Sequence, residues 1–390
     1  MDEVHNNKAL AFAAVLAVAA AIRLYLNNII QYAPADEATY LDFAGTLFNG
    51  GIGQYPDLVQ TFIHDRDMWL FPSPLRWSWI GVTSIFCSLA GHCTFRDLAT
   101  VSTLAGIASV ALTWWIGREL FDSTVALAAA ALTATSPLQL ALGRRALADE
   151  FFCMLVLASI ATLLAYTRTS RNAWLAAWIA VTTLTFGAKE QFLLVYPLIL
   201  LFWWLCTTGA PACRDRRGRL SYTMLLAAAL PPFLYFAVFC LLAHDVTSFF
   251  TIAHLTTSTI GAEYPEQYQN GPMHRLLIDM LAVAPLVTLA AIGALFSRVD
   301  RPIRNLGILL AGIFVVHGLL SSKNLRYIVP ADSLARLAAA TFLRDKRWAT
   351  IAIVLNAVVE LLLFRTIFIT GDVYDPVTDA LLRALKMLPR

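Results

Sequence analysis

Apolar residues in this chain come in blocks, near 9–30, 98–116, 125–142, 151–167, 173–187, 192–208, 220–243, 276–296, 306–320, 327–343 and 348–369. Most run to about 16 to 24 residues, the length that carries a helix across a hydrocarbon core of roughly 30 Å at about 1.5 Å per residue. The pattern predicts an all-α polytopic membrane protein with about eleven transmembrane helices. One more apolar stretch, 74–90, can be read either as a span or as an interfacial segment.

The basic residues decide how to treat that stretch. If it does not span and the N-terminus is inside, the inside loops become 117–124, 168–172, 209–219, 297–305 and 344–347. These hold Arg118, Arg168, Arg171, Arg214, Arg216, Arg217, Arg219, Arg298, Arg301, Arg304, Arg344, Lys346 and Arg347. Short loops rich in arginine and lysine mark the cytoplasmic face. Counting 74–90 as a span would move the whole set outside, so it is expected to lie in the outer interface or to re-enter, with Trp69, Trp77 and Trp79 at headgroup depth. The outer face then receives a long first loop, 31–97, the segments 143–150, 188–191 and 321–326, a second long loop, 244–275, and the C-terminal tail. Loops of that length usually carry function.

Composition agrees. Of 390 residues, 58% are hydrophobic and 14% charged, with a mean hydropathy of +0.65. Soluble chains carry roughly a quarter charged residues, so a soluble globular protein is excluded. The net charge of +3 comes without a long basic run interleaved with aromatics, and nucleic acid is not an expected partner. The six cysteines form no CxxC and no Cys/His cluster, which indicates neither a zinc site nor a disulfide framework. Cys87 and Cys93 are the pair that could meet on one side of the membrane. The segment 9–30 lacks a small-residue cleavage site and reads as a retained signal anchor. No repeat of about 20 to 50 residues and no inverted symmetry is evident, which weighs against a secondary transporter. The chain 1–390 therefore reads as a single membrane domain with an elaborated outer face.

Charges in or at the ends of spans are costly and usually face a cavity. The outer set is Arg23, Asp36, Glu37, Arg96, Arg144, Arg145, Asp149, Glu150, Lys189, Glu190, Lys323 and Arg326. Carboxylates and fixed cations gathered at one interface suit an anionic headgroup whose tail lies in the bilayer. Asp36 and Glu37 are adjacent, so their side chains diverge by about 100° on a helix and should divide two tasks, base and substrate ligand. Asp36 also suits the N-terminus of a helix running through 38–47. Arg145 and Asp149 are spaced for an i,i+4 pair at the start of a span. Lys323 and Arg326 share a helical face and would repel unless an anion lay between them. Asp332, Arg336, Glu360 and Arg365 read as pairs inside the bundle, and Asp279 has no partner evident in sequence. Asp65-Arg66-Asp67 spells a DxD, and His64, His244, His254 and His274 also face outward. A divalent metal is compatible with these residue types, but their spacing favours a solvated loop or a lone substrate ligand.

The order of motifs resembles the family-39-like glycosyltransferases of the GT-C fold, which include protein O-mannosyltransferases and the aminoarabinose transferases that modify lipid A. Arg23 precedes Asp36-Glu37 as the first-helix arginine precedes the Asp-Glu pair there. FPSPLRWSW resembles the HPPL-type segment of the first loop, with Ser73 between two prolines that the family usually runs together. TFRDLATVSTLAGI places Arg96 at the arginine that leads the second span. GRELFDSTVALAAAALTATSPLQLALGRRALADEF, GAKEQ and SSKNLRYIVP follow in the family's order. The larger members append a soluble domain or a long terminal loop, whereas this sequence ends at 390, so no acceptor is carried over.

The resemblance implies inverting transfer of a sugar from a polyprenyl-phosphate donor to a lipid, glycan or protein acceptor at the outer face, and a juxtamembrane helix over 74–90. Inversion needs one base, and a phosphate leaving group needs charge stabilisation but no general acid. Asp36 is the expected base. Glu37, Arg23, Tyr40, Asp149 and His64 are expected on the substrates, with Arg23 placed to orient Asp36. Arg96, Lys189, Lys323 and Arg326 are expected to hold the donor phosphate. No cofactor is firmly implied. The competing reading is a transporter or flippase of a lipid-linked sugar, which would move the lipid without needing Asp36. The alanine- and arginine-rich composition without long eukaryotic loops points to a bacterial inner membrane, with the site facing the periplasm or exterior.

Overall fold

A computed structural model describes residues 2–27, 35–207, 217–258, 268–297 and 300–389. Cys213, Arg214, Arg216, Arg298, Pro34 and the central part of the second outer loop lie outside the described residues. The described residues fold as helices without strands. In order these are α1 (Asp2–Leu26), α2 (Ala35–Gly50), α3 (Tyr55–His64), α4 (Trp77–Ala90), α5 (Phe95–Leu120) and α6 (Ser123–Ala134). Then come α7 (Pro137–Gly143), α8 (Asp149–Thr169), α9 (Asn172–Phe186), α10 (Phe192–Thr207), α11 (Arg217–Ala243) and α12 (Thr247–Ser258). The chain closes with α13 (Arg275–Val283), α14 (Pro285–Ser297), α15 (Arg301–Leu319), α16 (Val329–Leu343), α17 (Ala349–Phe364) and α18 (Thr378–Ala384).

Six stretches, in α1, α5, α8, α11, α15 and α17 with its continuation to Thr370, are long and apolar enough to cross a bilayer alone. The block 125–142 is instead bent: α6 and α7 meet at 57°. Pro137 has no N–H to continue the α6 ladder, and Ser136 accepts the Gln139 N–H to restart the helix as α7. The block 276–296 likewise breaks at Ala284-Pro285 into α13 and α14. Alanine-rich α16 is buried on nearly every face, its Asp332, Ser333 and Arg336 included, and its small residues let it pack closely on α14.

The break between α6 and α7 leaves carbonyls without helical partners inside the bundle. Two buried arginines satisfy them. Arg23 donates to Ala134 O at 2.8 Å and Thr133 O at 3.1 Å, and Arg336 donates to Leu132 O at 2.5 Å. Arg336 also pairs with Asp332 four residues earlier and with Glu360 of α17, each at 2.9 Å. Ser136 and Gln139 donate to Asp332, and Thr135 to Glu360. The Asp332–Arg336 pair is as the spacing predicts. Glu360 pairs with Arg336, while Arg365, expected among these pairs, is exposed.

Helices α2, α3 and α4 lie within 31–97, the segment expected as the first outer loop. Phe43, Leu47, Leu58, Phe62 and Ile80 pack with Phe239 and Ile252 of α11 and α12 into a small apolar core of their own. Helix α4 ends at Gly91 in the left-handed region, φ 76°, which turns the chain back and lets Cys87 bond Cys93. The bond joins the pair that the sequence offered as able to meet on one side of the membrane, although the cysteine spacing indicated no disulfide framework. At the other face, Gly117 lets α5 touch α6: a Cβ there would lie 2.8 Å from Ala126 Cα. Gly117→Ala is expected to destabilise by about 1–3 kcal/mol, read as a lower melting temperature in detergent. Gly45→Ala, whose Cβ meets nothing within 4 Å, should be neutral or mildly stabilising because alanine is the better helix former.

Candidate active site

The first turn of α2 presents Asp36 and Glu37, where the positive end of the helix dipole favours carboxylates. As their spacing requires, the two go to different partners. Glu37 receives both Nε and Nη2 of Arg145, at 2.8 and 2.9 Å, in a two-pronged pair. The Arg145 guanidinium stacks 3.9 Å over the Tyr374 ring. Burial pushes the Glu37 carboxyl above its usual value despite the opposing pull of Arg145. Asp36 accepts instead from Arg326.

Arg326 sits in a short turn, Leu325–Ile328, that Asn324 opens by accepting the Arg326 N–H. Its side chain gathers three carboxylates: Asp36 in direct contact, Asp375 at 3.2 Å and Asp149 at 3.7 Å. Asp149, the first residue of α8, also accepts from Lys189 of the loop between α9 and α10. The Lys189 ammonium lies 5.1 Å over the Tyr327 ring and is 1% exposed. Burial pulls its pKa down, to about 8, against the attraction of Asp149.

A second layer positions this cluster. Arg76 donates to Tyr40 Oη at 2.5 Å and to Glu190 at 2.8 Å, and Ser73 Oγ donates to the other Glu190 oxygen at 2.5 Å. Burial raises the Glu190 pKa, but Arg76 and Ser73 outweigh it and leave the carboxyl below its usual value. Ser73, where the sequence departs from paired prolines, thus ties the first loop to the residue after Lys189. The same loop is held from beneath by the Ser78 N–H on Gly187 O at 2.9 Å. A Cβ at Gly187 would strike the Trp77 indole at 2.6 Å.

The structure therefore brings together Asp36, Asp149, Lys189 and Arg326, with Glu37 and Tyr40 alongside. It places the other sequence candidates elsewhere. Arg23 lies in the bundle interior on the α6 carbonyls, packed with Glu150 around Gly106, so Arg326 rather than Arg23 orients Asp36. Lys323 donates to Leu320 O at 2.7 Å and diverges from Arg326, because the segment between them is not a helix. Arg96 stands exposed on the first turn of α5, and His64 is exposed with Nδ1 on Gln60 O. Arg145 and Asp149 do not pair, since α8 begins only at Asp149. In the DxD, Asp65 caps the Asp67 N–H. Among the described residues no three His, Cys, Asp or Glu side chains converge to hold a metal. Asp279 accepts from Thr378. Sequence reasoning missed the roles of Arg76 and Glu190 and overlooked Tyr374 and Asp375; the signal for the last two was a short polar GDVYDP run just after the last apolar block, in the tail expected on the outer side.

Residues 73–259 match the family described as dolichyl-phosphate-mannose-protein mannosyltransferase. No curated protein matches the sequence. Among solved structures, ArnT from Cupriavidus metallidurans bound to undecaprenyl phosphate is 17% identical with a TM-score of 0.64, over 93% of this chain and 65% of that one. The apo oligosaccharyltransferase of Archaeoglobus fulgidus is 15% identical with a TM-score of 0.54, over 96% of this chain and 55% of that one. The same archaeon's AglB with an inhibitory peptide and a dolichol-phosphate gives 13% and 0.52, over 91% and 54%. The chain thus spans less than two thirds of the length of these proteins. It is an integral membrane protein with the GT-C glycosyltransferase fold over nearly its whole length, and its residues 73–259 carry the dolichyl-phosphate-mannose-protein mannosyltransferase pattern.

Proposed function

We propose that this protein is an inverting glycosyltransferase that moves a sugar from a polyprenyl-phosphate donor to an acceptor at the extracytoplasmic face of a bacterial inner membrane. The observation that carries the reading is the Lys189–Asp149–Arg326–Asp36 cluster: two buried cations suited to a phosphate, next to a carboxylate on a helix N-terminus. Two of the similar structures hold polyprenyl phosphates, which supports a donor of that class. The Cys87–Cys93 disulfide in the first outer loop supports placing that loop on the oxidising side.

In this reading Asp36 takes the proton of the acceptor as its nucleophilic atom bonds the anomeric carbon. The carbon–oxygen bond to the phosphate breaks and its electron pair leaves on the phosphate, where Lys189 and Arg326 stabilise the charge. Glu37 and Tyr40 border the sugar and acceptor space, and Asp149 holds Lys189 in place.

The test is incubation of the purified protein with a panel of polyprenyl-phosphate hexoses and pentoses, reading release of polyprenyl phosphate by mass spectrometry. Release with at least one donor is expected. Passage of the lipid between vesicle leaflets with no release from any donor would establish the transporter reading instead. The pH profile carries a second signature. Lys189 is charged below its depressed pKa of about 8 and loses that charge as pH rises. Donor KM should therefore climb above that pH, well before an ordinary lysine titrates at about 10.4. Bound phosphate favours the ammonium, so the limb should be weaker in kcat.

A further inference from the structure

Arg326 is crowded. Asp36, Asp149 and Asp375 share one guanidinium, and with Lys189 the cluster sets two positive charges against three negative ones. A phosphate entering such a site without displacing a carboxylate would add a fourth negative charge to a buried space, which like-charge repulsion opposes. One carboxylate has to leave.

The fold indicates which. Asp149 is 3% exposed, sits on the first turn of α8 and is held a second time by Lys189. Asp36 belongs to the first turn of α2. Asp375 lies on an irregular strap of residues 371–377 between the last span and α18. The strap is fastened at its ends, where Gly371 N–H bonds Thr366 O at 2.8 Å and Thr378 bonds both Asp279 and Arg275. It is also anchored by the buried Val373, Pro376 and Val377 and by Tyr374 under Arg145, so the part free to exchange is the Asp375 side chain with its own turn. Between the ends the backbone bond nearest Arg326 runs from Leu325 N–H to Pro376 O and is long, at 3.4 Å. The strap enters through Asp372, whose φ of 48° is a conformation non-glycine residues adopt reluctantly.

We infer that Asp375 holds the place of the donor phosphate on Arg326 and is exchanged for it when the donor binds. The inference rests on the proposed use of Arg326 as a phosphate ligand. The exchange conserves charge, because a sugar phosphodiester carries one negative charge, as Asp375 does. It also draws Arg326 toward the phosphate and away from Asp36, so the base is released as the donor arrives. Asp375 is then a positioning residue that keeps Asp36 engaged while the donor is absent.

Titration of undecaprenyl phosphate into the detergent-solubilised full chain at about pH 5, where its phosphate is mainly a monoanion as the phosphodiester is, tests this, with hydrogen exchange as a second readout. Asp375→Asn should bind the lipid about tenfold tighter, the return of one charge-assisted contact. In the wild type, amides of the turn at Asp375 should exchange faster with the lipid bound. A merely structural Asp375 would give the opposite: weaker binding in the variant, and a strap equally or better protected by the lipid. Unchanged affinity in Asp375→Asn, with lipid binding abolished in Arg326→Ala, overturns the exchange and leaves the phosphate site standing. Binding that survives Arg326→Ala, or wild-type protein that binds no lipid, removes the phosphate reading and the exchange with it.

Discussion

Asp36→Asn is expected to slow sugar transfer by about 10²–10⁴-fold, the range for loss of a positioned general base, with donor affinity equal to or tighter than that of the wild type. The amide keeps the shape of the carboxylate and its place on the first turn of α2 but cannot take the acceptor proton. Donor affinity should hold because Arg326 keeps Asp149 and Asp375 and loses one competitor for its charge. The adjacent carboxylate does not substitute: Glu37 has both oxygens committed to Arg145. Single-turnover release of polyprenyl phosphate, measured beside donor binding, separates the two quantities. Wild-type turnover in the variant would remove Asp36 from the mechanism, and lost binding with normal turnover per bound donor would make it a ligand instead of a base.

The helical class and the gathering of charges into one cluster were legible because apolar blocks and the charges between them need only composition and spacing. Partners were legible only where the local backbone was a helix. Asp332 and Arg336, four apart within α16, pair as read. Arg145 and Asp149 have the same spacing but straddle the start of α8, so each turns to a partner more than a hundred positions away or on another element. Lys323 and Arg326 diverge for a like reason, with Asn324 opening a tight turn between them. Arg23 was placed near Asp36 by motif order, yet α1 holds it on the carbonyls of Thr133 and Ala134. The interior carbonyls that hold it exist only because Pro137 breaks a span that the apolar pattern presents as continuous. Ser73 and Glu190, 117 positions apart, meet through tertiary contact that no local spacing encodes.

That interior break carries the largest expected stability effect. Arg336→Ala should cost about 3–5 kcal/mol, the usual penalty for stripping one partner from a buried ion network, and is expected to show as a large drop in melting temperature and in folded yield. Arg336 is fully buried, as are Asp332 and Glu360 to within 1%, so its removal strands two carboxylates and Leu132 O where no water reaches. Replacing all three charges together, as Asp332→Leu, Arg336→Met and Glu360→Leu, should recover part of the loss, because uncharged side chains need no counter-ion. Recovery should stay incomplete: Ser136, Gln139 and Thr135 lose the acceptors they now use, and the α6 carbonyl loses its donor. If the triple variant is no more stable than Arg336→Ala, capping of the broken helix outweighs charge balance in this core. If Arg336→Ala melts like the wild type, the network is not what holds α6, α16 and α17 together.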